Sequence, residues 1–352
     1  MKTPQDLVRP EVLALKAYPV PPAAGMVKLD AMENPYGLPD ELRRELAERL
    51  ARVELNRYPD PTGGKLRALI ARRMKVPAGM EVMLGNGSDE LLQIVTLALA
   101  RPGAALMYPA PTFVMYSMYA AFSGMRAIAV PLREDFSFDA DAFIARVRQE
   151  RPALVLLAYP NNPTGTLYPE KDVEAVIRAC EGIVVVDEAY HAFAGRTFLQ
   201  RLGEFPNLVV LRTVSKLGLA GIRLGYLAAR PEWAEQFNKV RSPYNVNVLT
   251  QVTAEFMLER LDVLEEQASR IRQERETLGK SLAALQGARV FPSEANFFLV
   301  RVPDAARVDA SLRKQGVLVK NLHPGIAQCL RITVGTPDEN RILLTAMREA
   351  LQ

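Results

Sequence analysis

The chain has 352 residues, of which 49% are hydrophobic and 24% are charged, and its formal net charge is +4. This composition is ordinary for a globular protein with a large buried core, built as one large domain or two modest ones. The small net charge, with no aromatic residues among the basic clusters, excludes nucleic acid as an expected partner. Since no apolar run approaches the ~20 residues of a membrane span and the first ten residues do not resemble a signal peptide, we expect a cytoplasmic protein that does not enter a membrane.

The small number of cysteines and histidines limits the kinds of covalent link and catalytic or metal site to be expected. Cys180 and Cys329 lie far apart in apolar surroundings, so we expect buried free thiols and not a disulfide. His191 and His323 are the only two histidines. A metal site built on paired imidazoles is therefore not expected, and no nucleophile-elbow pattern accompanies either histidine.

The N-terminal segment, residues 1–30, is rich in proline and weakly patterned, which predicts an arm and not a folded unit. Tyr18 is the one residue of this arm suited to a specific contact, with simple packing as the alternative. A turn-rich loop containing Asn34 follows, and then a helix over 40–52 that Asp40 is available to cap. Tyr58 lies in a second exposed loop, where the two prolines that follow hold the backbone extended.

From residue 81 to residue 226, short apolar runs alternate with helical patterns. This alternation predicts a mostly parallel sheet with right-handed crossovers and helices on both faces. The predicted strands are 81–84, 104–108, 125–131, 154–158, 183–186 and 208–213. The predicted helices, which begin just before this region, are 65–75, 91–100, 114–123, a helix capped by Asp139 and ending near 150, and 170–180.

A glycine turn joins the first of these strands to its helix. Gly87, Ser88 and Asp89 precede the apolar helix, and the free N–H groups of a helix N-terminus suit a phosphate. The alternative is a plain turn capped by Ser88 or Asp89. After the next strand comes Phe113, which is placed to stack on a flat cofactor or to fill the core.

Two later strands also end in polar residues. Asn162 precedes a proline and is therefore held out of the helical conformation, so its amide can point away from the strand end. Asp187 follows four apolar residues, where a carboxylate is half buried and needs a charged partner. Ligands of parallel sheets bind at the carboxyl ends of the strands, so these side chains are expected to meet there.

The strand over 208–213 leads to Ser215 and Lys216, and a glycine-containing turn then reaches Arg223. A lysine at the mouth of a buried strand can lose solvation, which lowers its pKa and lets it form a Schiff base. A phosphate-bearing aromatic aldehyde would give every residue type here a task. Lys216 would bind the aldehyde and later move the Cα proton of the substrate, while Asp187 would hold a proton on the ring nitrogen.

The remaining residues of this set would hold the rest of such a molecule. Tyr190 and Asn162 are placed to donate to a ring oxygen, and Phe113 to stack on the ring. The phosphate would be bound by Gly87, Ser88, Asp89, Ser215 and Arg223.

Beyond residue 226 the pattern changes to that of a second, α+β unit. We predict a helix over 232–241, two helices or one bent helix over 247–286, strands over 297–302, 317–320 and 330–334, and helices over 309–315 and 337–351. The domains are then an arm (1–30), a large domain (31–245) and a small C-terminal domain (246–352). Arg331 lies in an apolar strand, where it would meet an anion or form a structural ion pair.

Several motifs together resemble one family. Asn162-Pro163-Thr164-Gly165, Asp187-x-x-Tyr190, Ser215-Lys216 and Arg223-x-Gly225-Tyr226 are similar to motifs of the fold-type I aminotransferases that use pyridoxal 5′-phosphate. The histidinol-phosphate aminotransferases are the closer resemblance, through residues 33–35, 56–60, 85–90, 242–245 and 330–336. The resemblance covers nearly the whole chain.

This resemblance implies a reaction and an assembly. The reaction converts L-histidinol phosphate and 2-oxoglutarate to imidazole acetol phosphate and L-glutamate, in histidine biosynthesis. The assembly is a homodimer with shared active sites, in which Tyr58 reaches the cofactor phosphate of the other subunit. Arg331 would bind the anionic ends of both substrates, and Tyr18 and Asn34 would lie near the substrate.

Three departures from the family pattern bear on the substrate. Phe113 stands where many relatives have tyrosine, and the turn from Lys216 to Arg223 is one residue shorter than in some members. Lys320 stands where many members have a second substrate-binding arginine, and a lysine cannot form the two-pronged contact of a guanidinium with phosphate. Lys320 is therefore a substrate contact or an ordinary surface residue.

Three other functions remain open from the sequence. An aminotransferase for aromatic amino acids and a relative of threonine-phosphate decarboxylase would keep Lys216 and Asp187 but differ in the substrate pocket. A pyridoxal-phosphate-binding regulator would carry a DNA-binding segment ahead of the aminotransferase-like body, and the short arm has no room for one.

Overall fold

The computed structural model describes residues 2–17 and 21–352. Its strands are β1 (Val27–Lys28), β2 (Glu81–Gly85), β3 (Ala105–Ala110), β4 (Arg126–Pro131), β5 (Leu154–Ala158), β6 (Ile183–Asp187), β7 (Leu208–Thr213), β8 (Gly225–Ala229), β9 (Arg289–Val290), β10 (Phe297–Arg301), β11 (Val317–Leu318), β12 (Lys320–Asn321) and β13 (Cys329–Thr333). Its α-helices are α1 (Pro4–Leu7), α2 (Pro10–Leu13), α3 (Asp40–Leu50), α4 (Gly64–Arg73), α5 (Ser88–Leu99), α6 (Met115–Ser123), α7 (Ala140–Glu150), α8 (Glu170–Ala179), α9 (His191–Ala194), α10 (Pro231–Asn238), α11 (Val248–Glu259), α12 (Leu261–Ala283), α13 (Ala305–Lys314) and α14 (Pro337–Leu351).

The largest sheet in the described residues has seven strands in the order β2-β8-β7-β6-β5-β3-β4. Neighbouring strands from β7 to β4 are parallel, as the alternation of strands and helices predicts. Strand β8 runs antiparallel to both β7 and β2. The sequence analysis did not predict β8, because its two alanines favour a strand only weakly.

Alternate residues of each central strand enter different cores, which is why the strands read as continuous apolar runs. On β5, Val155 and Leu157 pack with α7 and α8, and Leu154 and Leu156 pack on the opposite face with α5 and α6. Burial on both faces leaves polar side chains room only where strands end. The mostly parallel α/β sheet with helices on both faces is therefore confirmed.

The C-terminal part forms a four-stranded antiparallel sheet in the order β12-β13-β10-β9, with one core shared by α12, α13 and α14. Of the two alternatives for 247–286, two helices are observed, since α11 ends before α12 begins at Leu261. Strand β1 pairs with β11, and α11 packs on α4. The proposed boundary at residue 245 stays a prediction.

Several predicted boundaries shift for identifiable reasons. Asp40 does not cap α3, because Pro39 occupies the N-cap position and Asp40 is the first helical residue. Asp139 does cap α7, through a 3.1 Å hydrogen bond that Oδ1 accepts from the N–H of Ala142. The segment predicted as one strand over 317–320 divides into β11 and β12, which belong to different sheets.

The state of the cysteines and the character of the helices complete the description of the fold. Cys180 and Cys329 are both buried free thiols, as predicted. Among the helices of the described residues, none has the length and apolar character needed to cross a membrane.

Candidate active site

One cavity at the carboxyl ends of the central strands brings together most of the predicted site residues. It is lined by Met32, Ser88, Asp89, Phe113, Ala158, Asn162, Asp187, Ala189, Tyr190, Thr213, Ser215, Lys216 and Arg223. The strands that supply these residues are adjacent in the sheet. The expectation that side chains far apart in sequence meet at one edge is therefore correct for this set.

Lys216 lies directly after β7, on a tight π-helical turn over Ser215–Leu219. Its Nζ donates a 2.9 Å hydrogen bond to the carbonyl oxygen of Ala31 and lies 5.9 Å from the centre of the Tyr190 ring. Burial, helped by the positive charge of Arg331, lowers the pKa of Lys216 to about 8. The neutral, nucleophilic amine is consequently well populated near neutral pH.

Asp187 ends β6 and is 5% exposed. Its Oδ1 accepts a 3.1 Å hydrogen bond from the N–H of Ala189, and its Oδ2 accepts one of 2.9 Å from the hydroxyl of Tyr116. Burial raises the pKa of Asp187 to about 7, although both hydrogen bonds favour the ionised form. These two donors are neutral, so a positively charged group entering the cavity would stabilise the carboxylate further.

The opposite end of the cavity is suited to an anion. Gly87 is the N-cap residue of α5 with φ +83°, and a Cβ atom there would lie 2.6 Å from Nη2 of Arg223. The cap carries no side-chain hydrogen bond, so neither Ser88 nor Asp89 caps α5, and the phosphate site at this turn stays a prediction. Arg223 reaches this end with Nη1 3.4 Å from Oγ of Ser215 and Nη2 3.5 Å from Oδ2 of Asp89. The helix N-terminus and the guanidinium together provide donors for a phosphate.

A second cationic region adjoins the cavity through Asn162. Nη1 of Arg331 donates a 2.7 Å hydrogen bond to Oδ1 of Asn162, and its Nη2 donates one of 2.7 Å to the carbonyl oxygen of Asp30. Lys320 lies directly opposite Arg331 in the register of β12 and β13. Directly opposite side chains share one face of a sheet, so Lys320 lies on the same face of the sheet as Arg331.

The remaining predicted residues lie elsewhere. The amide Nδ2 of Asn34 donates to the carbonyl oxygen of Leu217 and to Oε1 of Gln267, both at 2.9 Å. Tyr58 is 80% exposed and stacks on Tyr244 with ring centres 4.5 Å apart. Tyr18 lies outside the described residues.

The sequence analysis missed residues of α6. Tyr116 contacts Asp187, and the hydroxyl of Tyr119 donates a 3.0 Å hydrogen bond to Oδ1 of Asp89. Both follow Phe113 at intervals of three, the spacing that places side chains on one face of a helix. That spacing is the signal that would have found them.

A buried ion pair behind the cavity was also missed. Glu188, which is fully buried, accepts hydrogen bonds from Nε of Arg212 (2.9 Å) and from the N–H of Phe198 (2.6 Å). Thr197 bridges the pair, since its hydroxyl contacts both carboxylate oxygens and receives a bond from Arg212. The network anchors the turn that carries Asp187 and Tyr190.

The chain matches known proteins over nearly its full length. The family model for aminotransferase class I and II matches residues 24–347. "Histidinol-phosphate aminotransferase 1" of Burkholderia lata is 55% identical over 100% of this chain and 99% of its own length. "Histidinol-phosphate aminotransferase" of Chromobacterium violaceum is 54% identical over 98% of each chain.

The fold agrees with that of solved structures. Histidinol-phosphate aminotransferase from Sinorhizobium meliloti, determined in complex with pyridoxal-5′-phosphate, superposes with a TM-score of 0.87 at 27% identity and covers 98% of this chain and 97% of that one. The chain therefore belongs to the class I and II aminotransferase family and, within it, to the histidinol-phosphate aminotransferases.

Proposed function

We propose that this protein binds pyridoxal 5′-phosphate and transfers the amino group of L-histidinol phosphate to 2-oxoglutarate, giving imidazole acetol phosphate and L-glutamate. This is a step of histidine biosynthesis, which we assign to the cytoplasm. The observation that carries the proposal is the placement of Lys216, Asp187 and the N-terminus of α5 around one cavity. Full-length relatives at more than half identity support the choice of substrate.

The residues of the cavity fit the cofactor by their own properties. A lysine with its pKa lowered to about 8 suits an aldehyde, and a buried carboxylate with its pKa raised to about 7 suits a ring N–H⁺. Any side chain at Gly87 would collide with Arg223, so the glycine lets the guanidinium approach the N-terminus of α5 closely enough for both to bind one phosphate. These features correspond to the aldehyde, the ring nitrogen and the phosphate of one molecule.

Each residue then has a task defined by its position. Lys216 would hold the aldehyde carbon, Asp187 the ring nitrogen, Tyr190 and Asn162 the ring oxygen, and Ser88, Ser215 and Arg223 the phosphate. When bound, pyridoxal phosphate supplies an electron sink that allows the Cα proton of an amine substrate to leave. Nζ of Lys216, once released by the substrate, moves that proton, and a pKa near 8 suits a base that works close to neutral pH.

The cations beside the cavity support an anionic substrate. Arg331 is 7% exposed and is held by Asn162, so its guanidinium is oriented at the border of the cofactor site. Histidinol phosphate and glutamate both carry an anionic end, and one arginine can bind each in turn. Lys320, opposite Arg331, would add charge for the phosphate, which carries more negative charge than a carboxylate.

The test is a half-reaction followed by visible absorption. Adding L-histidinol phosphate without a keto acid to the purified holoenzyme should convert the band of the bound aldehyde to that of the amine form of the cofactor, and 2-oxoglutarate should restore it. L-Phenylalanine and L-threonine phosphate serve as comparison substrates. A response to phenylalanine alone, or release of carbon dioxide from threonine phosphate, would contradict the proposed substrate.

We further propose a homodimer in which Tyr58 acts on the partner's cofactor. Its side chain is 80% exposed and stacks on Tyr244, away from the cavity of its own chain. The test mixes two inactive or weakened variants, Lys216→Ala and Tyr58→Ala. If the sites are shared, a hybrid dimer contains one intact site and regains activity. If Tyr58 acts within its own chain, no hybrid contains an intact site.

A further inference from the structure

A row of aromatic side chains at intervals of three begins at Phe113, just before α6, and continues along α6, and only Phe113 was expected at the cofactor site. Phe113 lines the cavity, Tyr116 contacts Asp187 and Tyr119 contacts Asp89. Tyr116 is fully buried and does not line the cavity itself. Any action of Tyr116 on a bound molecule must therefore pass through a neighbour that lines the cavity, and its polar contact there is with Asp187.

The hydroxyl of Tyr116 is held in one position by its surroundings. Its ring lies edge-on to Phe113, with centres 5.7 Å apart, and edge-on to Tyr108 at 6.2 Å. Burial and the neighbouring carboxylate hold the pKa of Tyr116 well above its usual range, so the phenol keeps its proton and donates. The 2.9 Å contact with Oδ2 of Asp187 is consequently a hydrogen bond with a defined direction.

Asp187 has one such donor on each oxygen. The N–H of Ala189 comes from the same turn as Asp187, and it cannot fix the rotation of the carboxylate alone. Tyr116 comes from another element and supplies the second point. Two donors on different oxygens determine the plane of the carboxylate and favour its ionised form.

The electrostatic surroundings of Asp187 oppose ionisation. Asp89 on α5 and Glu188 beside Asp187 both raise its pKa, in addition to burial. Other titratable or charged groups near it are Tyr119 on α6, Tyr168, Tyr190, Lys216, and Arg212, which is paired with Glu188. The hydrogen bond from Tyr116 is the largest influence that lowers the pKa of Asp187.

We propose that Tyr116 is a positioning residue whose hydroxyl orients the carboxylate of Asp187 and keeps it ionised for the ring nitrogen of the cofactor. The inference rests on the proposed function, in which Asp187 meets that nitrogen. Tyr116 thereby tunes how firmly the cofactor is held and how strongly its ring is kept protonated. Neither property requires Tyr116 to touch the cofactor.

The test compares Tyr116→Phe with a matched control, Tyr168→Phe. Tyr168 is also a fully buried tyrosine, and within the described residues its hydroxyl has no hydrogen-bond partner. Infrared difference spectra of the full-length apoenzyme, assigned with Asp187→Asn, follow protonation of the Asp187 carboxyl against pH. The midpoint should lie near 7 in the unmodified protein, rise by about one unit in Tyr116→Phe, and stay in place in Tyr168→Phe.

Cofactor binding gives an independent readout. With the midpoint one unit higher, the ionised fraction of Asp187 at pH 7 falls from about one half to about one tenth. The dissociation constant for pyridoxal phosphate should then rise about five-fold at pH 7 in Tyr116→Phe and recover at higher pH. A role in packing alone would weaken binding equally at every pH, and that result would overturn the proposal.

A second variant covers the case in which Tyr116→Phe does not fold. Site-specific 3-fluorotyrosine at position 116 keeps the volume and makes the phenol a stronger donor, so the midpoint of Asp187 should fall. An unchanged midpoint in both variants would refute the role of Tyr116 while leaving the proposed function intact. Failure of the unmodified protein to bind pyridoxal phosphate would refute the proposed function, and the infrared titration would still decide the role of Tyr116.

Discussion

The lowered pKa of Lys216 leads to a quantitative prediction for the apoenzyme. Burial is the main cause, and the charges of Arg331 and Arg223 act in the same direction, whereas Glu33 and Asp89 oppose them. With a pKa of about 8 in place of 10.5, roughly 10% of the amine is neutral at pH 7, compared with roughly 0.03% for an ordinary lysine. The neutral form is therefore enriched about 300-fold.

Competitive labelling measures this property residue by residue. Trace acetylation of the apoenzyme between pH 6 and pH 11, followed by peptide mass spectrometry, gives the reactivity of Lys216 against a model peptide amine. Only the neutral amine reacts, so labelling should rise with pH to a midpoint near 8. Arg331→Gln should raise that midpoint by removing a nearby cation, and Asp89→Asn should lower it by removing an anion. A midpoint near 10, or shifts with the reverse signs, would refute the reasoning.

Three further changes test the site and its support. Lys216→Ala should abolish turnover and leave the circular dichroism spectrum of the folded protein unchanged, because the side chain contributes one hydrogen bond, to Ala31, and is not part of an apolar core. Arg331→Ala should raise KM for histidinol phosphate and for glutamate together. Lys320→Ala should raise KM more for histidinol phosphate than for glutamate. Steady-state kinetics with each substrate separates the two outcomes. Glu188→Ala should lower the free energy of unfolding by about 3–5 kcal/mol, since it leaves the buried guanidinium of Arg212 without its carboxylate; a loss below about 1 kcal/mol in urea denaturation would contradict that expectation.

The sequence is most informative where a charged residue follows an apolar strand and is therefore expected to be buried. Asp187 and Lys216 both follow apolar strands, and a charged group at such a place is costly unless it has a function. Residue order then predicts that they meet, because parallel strands bring their carboxyl ends to one edge. The structure places both side chains in one cavity, as that argument requires. The same reasoning fails for β8, where small residues in an antiparallel strand have no comparable signal.

Contacts between side chains of different helices and strands could not be predicted from the sequence. Tyr116 is one of 11 tyrosines, and nothing but its spacing from Phe113 distinguishes it from a core residue such as Tyr168. Its proposed role depends on a contact with Asp187, which is 71 residues away along the chain. The pair of Glu188 and Arg212 is similar, because a charged residue just after β6 and another on β7 can be recognised as partners only once these strands are known to be adjacent.

The residues proposed to bind the cofactor and those proposed to bind the substrate lie in different parts of this fold. Most side chains lining the cavity belong to the strand ends of the central sheet, whose positions are determined by a core buried on both faces. Arg331 and Lys320 belong instead to the antiparallel sheet of the C-terminal part, and Arg331 adjoins the cavity through its hydrogen bond to Asn162. A change at Lys320 on β12 is therefore expected to leave the cavity residues in place, whereas a change at Arg331 on β13 also removes a hydrogen bond to Asn162. We therefore propose that the lysine at position 320, in place of a second arginine, bears on substrate range and not on the chemistry of amino transfer.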